Sequence, residues 1–187
     1  MIQNGIENIL KKNPIIPVAT IRDKNELDVI LDKILKAKIN CIEVTLRTHY
    51  AFEALEVIKS LNLTDFKLGV GTIIGADQVV KVKEIGVDFI VSPGLTPKLA
   101  QHLKQSNIPF IPGVSTVSDI MKGMEEDFKF FKFFPANLFG GIQALKTYGQ
   151  LFPAISFCPT GGISEDTYQD YLQEPNIISV GGSWMLK

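Results

Sequence analysis

Residues 128–136 read Phe128-Lys129-Phe130-Phe131-Lys132-Phe133-Phe134-Pro135-Ala136, five phenylalanines around two lysines. Aromatic residues favour a pleated, packed surface, so the run predicts a buried strand. Side chains alternate along a strand, which puts Phe130, Lys132 and Phe134 on one face and Phe131 and Phe133 on the other. Lys132 then points into an apolar interior, where a lysine is costly unless it is neutral or paired. A neutral amine in an apolar site is what Schiff-base chemistry needs. The plain alternative is a lysine that lays its stem along the strand and keeps its charge in water. The rest of the chain decides between the two.

Outward from this strand, short β-rich runs recur at 15–21, 41–46, 67–71, 89–92 and 110–112 before it, and at 156–159 and 177–180 after it. Segments of helical spacing separate them, at 26–38 (capped by Asn25), 51–61, 77–85 (ended by Gly86), from Pro97, and at 117–124, 141–148 and 165–172. A further short helix is predicted at 2–11, with Ile2, Ile6, Ile9 and Leu10 on its apolar side. Alternating βα units predict a parallel sheet, and eight of them predict a closed (β/α)8 TIM barrel, one domain over 1–187. The rival, an open doubly wound sheet, carries a glycine fingerprint after its first strand. Here Arg22 and Asp23 follow Ile21 instead.

Composition excludes several classes. The chain has 187 residues, with 19 Lys and Arg against 20 Asp and Glu, and neither a basic block nor an acidic tail. Nothing points to nucleic acid or a charged membrane surface. No apolar run approaches a membrane span, and the first 13 residues lack a signal-peptide core. The two cysteines, Cys41 and Cys158, have no metal-ligand spacing and read as reduced thiols of a cytoplasmic protein.

A barrel places catalytic groups at the C-terminal ends of its strands, and often binds phosphate in the loops after strands seven and eight. Those loops read Thr160-Gly161-Gly162 and Gly181-Gly182-Ser183. Glycine lets backbone N–H groups approach an anion, and Ser183 adds a hydroxyl. Read alone, either pair is only a tight turn; the two together, in those two loops, point to phosphate. Strand two carries Glu43, Thr45 and Arg47 on one face, the barrel interior if Leu46 points outward. A carboxylate is out of place among the branched apolar residues that normally fill a barrel. His49 and His102 read as solvated, and with no carboxylate–histidine cluster at the strand ends no metal site is expected.

Several strand-end motifs extend this pattern: Glu43-Val44-Thr45-Leu46-Arg47-Thr48, Gly69-Val70-Gly71-Thr72, Ser92-Pro93-Gly94-Leu95-Thr96, Ile111-Pro112-Gly113-Val114-Ser115-Thr116, Phe131-Lys132-Phe133-Phe134-Pro135-Ala136, Phe157-Cys158-Pro159-Thr160-Gly161-Gly162-Ile163 and Gly181-Gly182-Ser183-Trp184. Together they resemble the bacterial 2-keto-3-deoxy-6-phosphogluconate (KDPG) aldolases, many of which also cleave 4-hydroxy-2-oxoglutarate. The resemblance runs from about Ile15 to Trp184. It implies a class I aldolase that splits a phosphorylated keto-deoxy sugar acid into pyruvate and glyceraldehyde 3-phosphate, without metal or organic cofactor. By position, Lys132 matches the Schiff-base lysine and Glu43 the general acid/base. Arg47, Thr72 and Pro93 match residues around the pyruvate half, and Phe134 the aromatic wall beside the lysine. Gly161, Gly162 and Ser183 match the phosphate site. The resemblance also implies a homotrimer.

Family members continue past the eighth strand into another helix. The expectation is therefore a barrel lacking its final C-terminal helix. The exposed flank of strand eight would then be covered by the N-terminal helix, the tail 184–186 or a second subunit. Two rival functions are a non-catalytic sugar-phosphate binder and a sugar-phosphate isomerase or epimerase. The binder would need the glycine loops but not both Lys132 and Glu43. The isomerase or epimerase would work without a Schiff base.

Overall fold

The computed structural model describes residue 3 and residues 5–187; Ile2, where the expected first helix begins, lies outside the described residues. The strands are β1 (Ile15–Ala19), β2 (Cys41–Thr45), β3 (Lys67–Gly71), β4 (Phe89–Val91), β5 (Phe110–Ile111), β6 (Gly113–Val114), β7 (Phe130–Phe133), β8 (Ser156–Pro159) and β9 (Val180–Gly182). The helices are α1 (Ile6–Lys12), α2 (Lys24–Lys36), α3 (Ala51–Ser60), α4 (Ala76–Ile85), α5 (Pro97–Ser106), α6 (Val117–Glu125), α7 (Gly141–Leu151) and α8 (Tyr168–Leu172).

The expected closed eight-stranded barrel is not what the strands build. They form two parallel sheets, one of six strands in the order β5-β4-β3-β2-β1-β9 and one of three in the order β6-β7-β8. The architecture is thus a TIM-like variant, a six-stranded half-barrel facing a three-stranded sheet. The first seam falls at Pro112, which has no N–H to give to a ladder. The expected fifth strand, 110–112, ends at Ile111 and pairs with β4, while 113–114, expected to follow the strand, forms β6 and pairs with β7. At the second seam β8 and β9 meet through isolated bridges, Phe157 to Ile177 and Thr160 to Gly181. The expected eighth strand at 177–180 begins only at Val180.

Alternation sorts the side chains into two layers. Ile42, Val44, Leu68, Val70, Ile90, Phe131, Phe133 and Phe157 point outward into the main core beneath the helices. Ile16, Cys41, Phe89, Val91, Ile111 and Cys158 point inward and pack on Ile6, Ile9 and Leu10 of α1. α1 therefore floors the interior at the N-terminal ends of the strands. Gln3 fastens that floor to both sheets. Its Nε2 donates to the carbonyls of Phe110 (3.2 Å) and Phe130 (2.8 Å), and its Oε1 accepts from the N–H of Lys129 (2.8 Å). Gly69 leaves room for the ring of Phe89, which would lie 2.1 Å from a Cβ at that position.

Helix boundaries follow local chemistry. α2 is capped by Asp23 rather than by Asn25: Asp23 Oδ1 accepts from Glu26 N at 2.9 Å, while the Glu26 carboxylate accepts from Arg22 N at 2.8 Å. α6 opens with a capping box between Thr116 and Asp119. α8 is only five residues long, because the segment expected to start it at 165 forms a turn in which Ser164 N donates to Thr167 Oγ1. After β9 the tail turns back. Trp184 stacks on Tyr168 with centroids 5.5 Å apart, and Lys33 of α2 donates to the Leu186 carbonyl at 3.0 Å. Val180 is fully buried. Among the described residues no helix is long and apolar enough to cross a membrane.

Candidate active site

β2 and β7 belong to different sheets and face each other across the interior. Glu43 stands at the middle of β2 because the alternation that turns Ile42 and Val44 outward turns it inward. Its carboxylate occupies the space over Gly71 of the adjacent β3, where any Cβ would lie 2.0 Å from Oε1. Lys132 turns inward from β7 between the outward Phe131 and Phe133. Lys132 Nζ lies 3.0 Å from Glu43 Oε1 and 3.4 Å from Oε2. The side chains are only 5% and 4% exposed, so the lysine is paired inside rather than extended to solvent.

The wall around the pair is built from neighbouring strand ends. The Phe134 ring lies 5.2 Å from Lys132 Nζ and 6.0 Å from Arg47 Cζ. Phe134 is fixed through its backbone, donating to the Val114 carbonyl at 3.1 Å and accepting from Ser115 Oγ at 2.7 Å. Arg47 lies just past β2 and donates from Nε to Thr72 Oγ1 at 3.2 Å. Thr72 holds φ at 64°, in the left-handed region that a β-branched residue seldom occupies. Pro93 follows β4, half-buried, and lines a cavity of about 330 Å³ with Gly94, Gly113 and Ser115. A larger cleft of about 550 Å³ lies by Lys146, Ser156 and Asn176, at the other end of the strands from this wall.

The two glycine loops lie on the same rim. Gly161 and Gly162 have φ of 99° and 72°, and a Cβ on Gly162 would lie 2.4 Å from that of Asn137. The loops after β7 and β8 are tied together by Ala136 N donating to the Thr160 carbonyl (2.8 Å) and Asn137 N to the Gly161 carbonyl (3.2 Å). Ser183 follows β9 and is exposed. The structure thus links Lys132, Glu43, Phe134, Arg47 and Thr72 by direct contacts, while Pro93, Gly161, Gly162 and Ser183 lie on loops around them.

Cys158 neighbours Lys132 in the β7–β8 register. Burial pushes its thiol up to about 11, against the opposing effects of the Ser179 hydroxyl and the Lys132 charge. Burial pushes Cys41 up as well, helped by the Glu43 charge. Among the described residues no group of three His, Cys, Asp or Glu could hold a metal ion. His102, expected in solvent, is half-buried with Nε2 enclosed and without a hydrogen bond among the described residues.

Residues 6–187 match the profile of a family described as aldolase, KDPG and KHG aldolase. The chain belongs to the KDPG and KHG aldolase family. It is 38% identical to the KHG/KDPG aldolase of Escherichia coli, over 98% of this chain and 86% of that one. It also superposes on the crystal structure of the KDPG aldolase of Legionella pneumophila, in which pyruvate was captured as a covalent carbinolamine. The TM-score there is 0.92, with 39% identity over 97% of this chain and 87% of that one. The KDPG aldolase of Zymomonas mobilis with 3-phosphoglycerate gives a TM-score of 0.92 at 37% identity, covering 97% and 86%.

For a KDPG and KHG aldolase, two interior hydroxyl groups escaped the sequence reading of the site. Thr160 reads in the sequence as the residue before a glycine turn, yet its Oγ1 is buried without a hydrogen bond among the described residues. Thr20, just past β1, has no motif around it at all. Its position shows only once β1 is set beside β2.

Proposed function

We propose that this chain is a class I aldolase that cleaves 2-keto-3-deoxy-6-phosphogluconate to pyruvate and glyceraldehyde 3-phosphate, and 4-hydroxy-2-oxoglutarate to pyruvate and glyoxylate. The observation that carries the reading is the buried Lys132–Glu43 pair at 3.0 Å in a member of this family. A proton passing from Lys132 to Glu43 leaves a neutral amine, which attacks the C2 ketone. The resulting carbinolamine loses water, its hydroxyl protonated by Glu43, and becomes an iminium. The iminium draws electrons from the C3–C4 bond as the C4 hydroxyl gives its proton to Glu43 through water. The aldehyde departs, and the remaining enamine is protonated at C3 and hydrolysed to pyruvate and free lysine.

Arg47, held through its inner nitrogen by Thr72, has its two terminal nitrogens for the substrate carboxylate. Pro93 lines the pyruvate half, and the Phe134 ring walls the amine. Gly161, Gly162 and Ser183 take the phosphate, whose binding orients the reacting end. The two free, buried thiols support a cytoplasmic setting. A homotrimer fits the family resemblance, and Val117, Met121 and Met124, exposed along one side of α6, offer an apolar contact between copies.

The test is reduction with borohydride in the presence of pyruvate, followed by intact mass and peptide mapping. The expected adduct sits on Lys132 and is absent from Lys132→Ala, which is also inactive. An adduct mapped to Lys129, or full activity in Lys132→Ala, overturns the reading.

A further inference from the structure

β3 carries two glycines on its inward face, Gly69 and Gly71, since Leu68 and Val70 point outward. Different side chains lie over them. Gly69 is in register with Glu43 on one side and with Phe89 on the other. The Phe89 ring covers it, with ring atoms at 2.1, 2.4 and 2.5 Å from where a Cβ would stand. Gly71 is one inward position nearer the mouth, about 7 Å along the strand, in register with Thr45. The nearest atoms to a Cβ there would all belong to Glu43: Oε1 at 2.0 Å, Cδ at 2.8 Å and Cγ at 2.9 Å. The Glu43 side chain thus leans from its own level toward the mouth, and its carboxylate rests on the bare Cα of Gly71.

In that position Oε1 lies 3.0 Å from Lys132 Nζ. Gly71 closes β3 without the left-handed φ that demands a glycine. What its missing side chain provides is therefore space, not conformation. The backbone beneath the carboxylate is also held. The Gly71 carbonyl accepts from Leu46 N at 2.9 Å, and the next residue, Thr72, accepts from Arg47 Nε at 3.2 Å. We propose that Gly71 is a positioning residue of the reaction, whose bare Cα gives the Glu43 carboxylate the place from which it meets the Lys132 amine. The role rests on the aldolase reading above. Two consecutive residues then divide the work, Gly71 setting the carboxylate that moves protons and Thr72 the guanidinium of Arg47.

A methyl group at position 71 pushes the carboxylate away by about 1 Å or more, to reach ordinary van der Waals contact. The carboxylate is the far end of a flexible side chain, so it yields while the sheet stays. The contact with Lys132 opens, and the proton transfers that pass through Glu43 slow. Arg47 and Thr72 keep their places, so the carboxylate end of the substrate binds as before. The change falls on turnover and not on binding.

The test combines Gly71→Ala with Glu43→Gln, singly and together, on 2-keto-3-deoxy-6-phosphogluconate. Gly71→Ala should lower kcat about a hundredfold, as a misplacement of about 1 Å does. Its KM and far-ultraviolet ellipticity should stay close to wild type. In the Glu43→Gln background the same substitution should add no further loss, because it acts through a group already disabled, whereas independent effects add. A wild-type kcat in Gly71→Ala, a loss carried by KM, or the same factor lost again on top of Glu43→Gln overturns the role. So does a Gly71→Ala protein that does not fold, since the glycine would then serve the sheet. A wild-type protein that traps no pyruvate and cleaves no substrate overturns the aldolase reading, and this role with it.

Discussion

Glu43 and Lys132 hold each other in place as well as reacting, and the two duties separate on substitution. Glu43→Gln keeps the shape but cannot take the amine's proton. It should still form the pyruvate adduct slowly, while steady-state turnover falls by about 10²–10⁴. Turnover close to wild type would mean that another group moves the protons. Glu43→Ala instead leaves a buried ammonium without its partner, which costs on the order of 3–5 kcal/mol. Lys132→Met with Glu43→Leu should recover most of that stability in urea titrations and none of the activity.

The buried thiols give the residue scale a pH signature. Cys41 and Cys158 stay protonated in the fold, both raised by burial. In the unfolded chain they ionise near their ordinary value of about 8.5. Above that pH the native state binds more protons than the unfolded one, so stability falls as pH rises. The contribution is whole below about 8.5 and declines until Cys158 itself titrates near 11. Each thiol adds up to about 1.4 kcal/mol per pH unit to the slope. Urea midpoints at pH 8 and 10 should therefore converge in Cys158→Ala relative to wild type; parallel losses would show that the thiol is not responsible. Glu43 and Lys132 were legible in the sequence because each is the wrong type for an apolar strand. Gln3 and Thr20 were not, because their partners, Phe110 and Phe130 for the one and Thr45 for the other, lie far along the chain.

At the scale of elements, strand cores were read closely and their ends less so. β3, at 67–71, and β8, at 156–159, were legible to the residue. Two helical misreadings came from capping and turn chemistry. Asp23 and Asn25 are both suitable caps, and only the bond to Glu26 N selects the first. α8 starts late because side-chain hydroxyls satisfy the turn before it. The loop after β9 carries its own prediction. Ser183→Ala should reduce kcat/KM on the phosphorylated substrate by about ten- to a hundredfold, the worth of a hydrogen bond to a charged group at roughly 1.5–3 kcal/mol. Activity on 4-hydroxy-2-oxoglutarate should be spared. Equal losses on both would place Ser183 in the support of the fold.

For the molecule as a whole, the parallel βα order and the inward strand-end chemistry could be read from the residues, and the closure of the barrel could not. Periodicity counts elements; it does not see whether a ladder is continuous. That depends on single N–H groups, and Pro112 removes one where β5 would run on into β6. The cover over the last strand is supplied within the chain, by Trp184 against Tyr168 and Leu186 against Lys33.

The two-sheet arrangement makes the Lys132–Glu43 distance a gauge of docking. Glu43 rides on the six-stranded sheet and Lys132 on the three-stranded one, so their 3.0 Å separation is set by how firmly the sheets are clamped. A shift of about 1 Å can cost a hundredfold in rate while hardly disturbing hydrogen bonds inside either sheet. Under mild urea the capacity to trap pyruvate should therefore fade at lower concentration than the far-ultraviolet ellipticity, and Gln3→Ala, which loosens the clamp at the floor, should widen the interval. Coincident curves in both proteins would mean that the sheets part only when each of them melts, and that the chemistry is as robust as the strands that carry it.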